Sequence, residues 1–110
     1  MKICWFKDSK IGHEKQVQAI LDNLALTQDL VIEEKGISNP VWLELFLYFL
    51  RIKPKQDSIP DIIIGAGSAT TIPMLRYKTD IKTKVISVMK PQIFESKFDL
   101  IVAPRHDYKV

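Results

Sequence analysis

Apolar residues arrive along this chain as short runs separated by stretches of helical spacing. Ile3 to Phe6 is a short apolar run that predicts a first strand. From Gly12 to about Leu26, Val17, Ile20, Leu21 and Leu24 recur at helical spacing, with Glu14, Lys15, Gln18 and Asp22 on other faces. Leu30-Val31-Ile32 predicts a second strand. Asn39-Pro40 marks a turn and a helix start, because proline suits the first helical position. Val41 to Ile52 then reads as a nearly all-apolar helix. Its polar side chains, Glu44, Tyr48 and Arg51, are spaced four and three and form one narrow stripe. Ile62-Ile63-Ile64 predicts a third strand that stops at Gly65-Ala66-Gly67. Ser68, Thr70 and Thr71 offer N-cap hydroxyls for a helix to about Tyr77, and Pro73 fits best if the cap is Thr70 or Thr71. Val85 to Met89 and Leu100 to Ala103 read as two further strands, with a short helical turn over Pro91 to Lys97 between them.

Strands that alternate with helices imply a parallel sheet, whose buried strands are uniformly apolar. The fold class is therefore α/β: one Rossmann-like domain over residues 1–110 with about five strands in the order 2-1-3-4-5. That order places a topological switch point between strands one and three, where such sheets bind ligands outside the carboxyl ends of their strands. The loops concerned are Lys7 to His13 and Gly65 to Ser68. Right-handed crossovers put the first helix on one face and the later helices on the other. The first face is then expected to be bare over strands three, four and five, and to draw a partner.

The length of 110 residues suits a single domain, and 46% hydrophobic with 26% charged residues is an ordinary globular balance. The net charge of +3 is spread along the chain without a basic run, so nucleic acid is not an expected partner. Cys4 is the one cysteine and lies in an apolar stretch, which predicts a buried, reduced thiol and a cytoplasmic protein. Neither a signal peptide nor a membrane-spanning stretch is legible. The excess apolar surface of the Val41 helix, with Arg51, Lys53 and Lys55 beside it, admits peripheral contact with an anionic membrane. Burial of that helix against the sheet is the plainer reading.

Candidate chemistry gathers in the loops. Gly12-His13 opens the first helix, where free backbone N–H groups favour an anion and glycine allows close approach. His13 is a candidate general base or phosphate contact, against the plainer reading of a surface histidine that caps the helix. Gly65-Ala66-Gly67 lacks the third glycine of a dinucleotide fingerprint, since Thr70 stands there, and no acidic residue ends the next strand. No cofactor is expected; a tight turn and a backbone binding site remain open for Gly65, Gly67 and Ser68. His106-Asp107 follows strand five, roughly 14 Å from the first loop at 4.8 Å per strand, too far for a metal shared with His13. No metal site is expected.

Three segments together carry a family resemblance. They are Asp8-Ser9-Lys10-Ile11-Gly12-His13-Glu14-Lys15-Gln16, then Pro60-Asp61-Ile62-Ile63-Ile64-Gly65-Ala66-Gly67, then Phe98-Asp99-Leu100-Ile101-Val102-Ala103-Pro104-Arg105-His106-Asp107. In order and spacing the trio resembles the N-terminal part of the mitochondrial-fission "elongated mitochondria" (ELM-type) family. Ser9 and Ile11 stand where that family's loop usually has a glycine and a proline. The resemblance implies a GT-B-like fold, similar to glycosyltransferases that act on lipid-linked or nucleotide-sugar substrates. The Gly-His and the Pro-Asp…Gly-x-Gly segment are also similar to the MurG-type transferase of peptidoglycan synthesis.

On that resemblance the chain is the acceptor-side half of a glycosyltransferase-related protein, inactive alone, because family members are several times longer and their second domain holds most of the donor site. Its partners are then a sugar or lipid-linked acceptor, and either a C-terminal domain or a second copy over the bare sheet face. His13 faces the interdomain cleft, lined by Gly12, Gly65, Gly67 and Ser68, with His106 and Asp107 as further ligand-binding candidates. Eukaryotic relatives imply an alternative: a non-enzymatic recruitment module.

Overall fold

The computed structural model describes residues 1–37, 39–52, 59–89, 91 and 94–102, with Val41 and Ser68 described by their backbone alone. Five strands, β1 (Lys2–Lys7), β2 (Val31–Gly36), β3 (Ile62–Ala66), β4 (Lys84–Val88) and β5 (Leu100–Val102), form one sheet in the order β2-β1-β3-β4-β5. Every neighbouring pair is parallel. This is the Rossmann-like α/β architecture expected from the alternation of runs. The helices are α1 (Ile11–Ala25), α2 (Val41–Phe49) and α3 (Thr71–Tyr77), with 3-10 turns at Ser68–Thr70 and Glu95–Lys97.

Because strand side chains alternate between faces, each central strand feeds two cores. Ile3 and Trp5 of β1, Ile64 and Ala66 of β3 and Val88 of β4 meet Val17 and Leu21 of α1. Cys4 and Phe6, Ile63 and Val85 point the other way, against Met74, Leu75 and Tyr77 of α3. Phe94 and Phe98 pack at the margin of that second core, and α2 contributes Tyr48 to it. The helices therefore divide between the faces as right-handed crossovers require.

Three details differ from the sequence reading. The second strand continues through Glu33, Glu34 and Lys35, which a search for apolar runs passes over. As an edge strand it tolerates charge, and it pairs Glu33 with Lys2 and Lys35, and Glu34 with Lys7. α2 ends at Phe49, not Ile52: the Arg51 N–H donates to the Tyr48 carbonyl and the Ile52 N–H to the Leu47 carbonyl, with Arg51 at φ 59. That pair of bonds around a left-handed residue is a Schellman stop, usually built on glycine. Thr70 precedes α3, but its hydroxyl donates back to the Gly67 carbonyl (2.8 Å) instead of capping the helix. Pro73, third in α3, needs no N–H there because the first turn has no carbonyl to receive it.

The expected bare face is also narrower. α1 reaches across β3 and β4, so Ile64, Ala66 and Val88 are buried. On that face Leu100 and Val102 of β5, in register with Ile86 and Val88, remain exposed.

Candidate functional site

β1 and β3 pair side by side, with Phe6 opposite Gly65, so the loops that follow them open together at the carboxyl edge. The β1–α1 loop turns sharply at Ser9, which is left-handed (φ 68). That turn lets the Asp8 carboxylate face back toward α1. Its Oδ1 accepts the Lys10 N–H at 3.1 Å, and its Oδ2 lies 2.6 Å from Nδ1 of His13. The Asp8 side chain is only 4% exposed, while His13 keeps 21% of its side chain accessible. His13 is thus not a helix cap, and no described residue hydrogen-bonds its Nε2. A carboxylate on Nδ1 holds the proton there and leaves Nε2 as the basic nitrogen.

Gly67 (φ +98) closes the group from β3. A side chain there would overlap Asp8 Oδ2 and stand 2.8 Å from His13 Nδ1, so only glycine lets the loop lie on the pair. Gly65 has a different task. It is buried, and a Cβ on it would press on Met74 Sδ, the Phe6 carbonyl and Thr70 Oγ1. That makes Gly65 a packing residue beneath α3 instead of a lining residue. Gly12 is exposed with open space around its Cα, and Ser68 opens the 3-10 turn after Gly67. His106 and Asp107 lie outside the described residues.

The sequence reading therefore found His13 and Gly67, which the fold brings together, and missed Asp8 as their partner. Its signal was present: a carboxylate at the end of a strand, five residues before a histidine that opens the next helix. Elsewhere, burial pushes the Cys4 thiol up from its ordinary 9.0 to about 12, with the negative charge of Glu33 adding to the shift. A thiol so hard to ionise is no nucleophile at neutral pH. Among the described residues no cluster of three or more histidine, cysteine or acidic side chains could hold a metal. No helix among them is long and apolar enough to cross a membrane.

Compared with known protein families, residues 11–110 match the family described as Mitochondrial fission ELM1. The chain belongs to that family. The matched span begins at the first residue of α1 and holds His13, Gly65 and Gly67, while Asp8 stands just ahead of it. Neither the curated proteins nor the solved structures offered a match.

Ser9 is left-handed, the conformation glycine adopts at least cost, and Ile11 is the first residue of α1, the position proline favours.

Proposed function

We propose that this Mitochondrial fission ELM1 family chain acts as the acceptor-side domain of a GT-B-like, glycosyltransferase-related protein, with His13 as its general base. The observation that carries this reading is the buried Asp8 carboxylate on His13 Nδ1, at the switch point of a parallel sheet. An acceptor hydroxyl placed against Nε2 gives its proton to the imidazole, and Asp8 stabilises the imidazolium that results. The exposed start of α1 at Gly12 and the Gly67 backbone lie beside that position and suit a phosphate of a sugar-phosphate or lipid-linked acceptor.

The test is a titration followed by amide and imidazole NMR signals, first with a sugar 1-diphosphate, then with uridine and guanosine diphosphate sugars. Shifts at Gly12, His13 and Gly67 are expected for the sugar diphosphate and lost in His13→Ala. Nucleotide sugars should bind this domain no better than millimolar, because the reading assigns it the acceptor and not the donor. Micromolar nucleotide-sugar binding that survives His13→Ala would sink the reading.

Family membership favours a second reading, a non-enzymatic module related to mitochondrial fission. Under it, His13→Ala leaves partner recruitment intact and no sugar phosphate moves the loop signals.

A further inference from the structure

For a surface helix, α2 is inside out. Its carboxylate points inward: Glu44 is buried, 2.6 Å from Arg76 of α3 and 2.9 Å from the Asn39 side-chain amide. Its aromatics point outward, with Trp42 70%, Phe46 57% and Phe49 66% exposed. Spacings of four and three put these three on one helix face, and the exposed Leu50 extends it. A solvated helix has the opposite arrangement, and a contiguous patch of large apolar side chains marks a docking surface.

The surroundings of the patch favour one occupant. Beside Phe49 lies a concavity of about 440 Å³, lined also by Tyr48, Phe94, Arg51 and Lys97. Both cations are exposed, and neither forms an ion pair with a described residue. Glu95 opens the turn that Lys97 closes, so this margin is positive on balance. α2 itself exposes no carboxylate. A second copy docked symmetrically on this face would set Arg51 and Lys97 near their own duplicates, an unfavourable charge arrangement. An anionic bilayer supplies apolar depth for the aromatics and negative headgroups for the cations at its surface.

We infer that the Trp42–Phe46–Phe49 face of α2, edged by Arg51 and Lys97, seats the chain flat on an anionic lipid surface. At nine residues the helix is about 14 Å long, so it lies in the interface instead of crossing it. This seat is independent of His13.

The chain carries its own probe. Of its two tryptophans, Trp5 is 4% exposed and Trp42 70%, so a fluorescence change on adding vesicles reports Trp42. Phosphatidylcholine vesicles containing phosphatidylglycerol should shift the emission to the blue and co-sediment with the chain, and pure phosphatidylcholine should do neither. Phe46→Ser with Phe49→Ser should abolish binding. Arg51→Gln with Lys97→Gln should weaken it at least about tenfold, each cation near the surface being worth about 1 kcal/mol. His13→Ala should bind as the parent does. Quenching of the unaltered chain by brominated lipid gives a readout that needs no variant. Equal recovery on both vesicles, or on neither, overturns the proposal. So does a lipid-free oligomer that dissociates in the Phe46→Ser, Phe49→Ser variant, which would assign the face to a second copy.

Discussion

A single missing Cβ decides whether the site can form. Gly67 combines a left-handed φ of +98 with contact distance to both Asp8 and His13, so Gly67→Ala is strained twice over. It should cost about 2–3 kcal/mol and separate the carboxylate from the imidazole. Ser9 and Ile11 are the opposite case. Ser9→Gly removes left-handed strain, and Ile11→Pro places a ring at the first position of α1, after a Lys10 that is already extended (φ -95, ψ 117). Each should raise stability by about 0.5–1 kcal/mol in urea unfolding. A Gly67→Ala chain as stable as its parent, or a destabilised Ser9→Gly, would show that the loop is built differently.

Between elements, the Glu44–Arg76 pair ties α2 to α3. Both side chains are nearly buried, at 7% and 11% exposure, and Arg76 also donates from Nε to the Ile52 carbonyl. Removing one partner strands the other charge, so Glu44→Ala or Arg76→Ala should cost about 3–5 kcal/mol. Replacing both, as Glu44→Leu with Arg76→Met, should recover most of that loss, because apolar packing escapes the desolvation both charges suffer. A double-mutant cycle by chemical denaturation reads the difference. If the singles and the double lose equally, the pair is not what joins the helices. The pair also orients α2: with Glu44 drawn inward, the opposite aromatic face must turn to solvent.

At the scale of the molecule, large apolar side chains stay exposed among the described residues on the outer face of α2 and along β5, at Leu100 and Val102. The charged β2 edge is protected by its ion pairs, but β5 offers three apolar residues and an unpaired ladder among the described residues. The purified chain should therefore self-associate, and Leu100→Lys should reduce that association without touching α2. Sedimentation velocity across a concentration series, with a thermal melt, checks this. A monomer throughout, with a sharp melt at high temperature, is the outcome that refutes it.

The parallel sheet was legible because β1, β3 and β4 are buried on both faces, so burial wrote them as mostly apolar runs. Strand order followed from the most economical connection of the elements, and helix faces from crossover handedness, which is a property of L-residues and needs no side-chain detail. Local pattern failed where long-range contacts took over. The edge position of β2 let Glu33, Glu34 and Lys35 continue a strand that apolarity alone would end. Arg76, remote in sequence, turned the Glu44 stripe of α2 inward. Asp8, His13 and Gly67 were each visible as residues, and two of the three as candidates. Only the pairing of β1 with β3 set Gly67 against the Asp8–His13 pair, because contact across the switch point depends on register between strands some 60 residues apart.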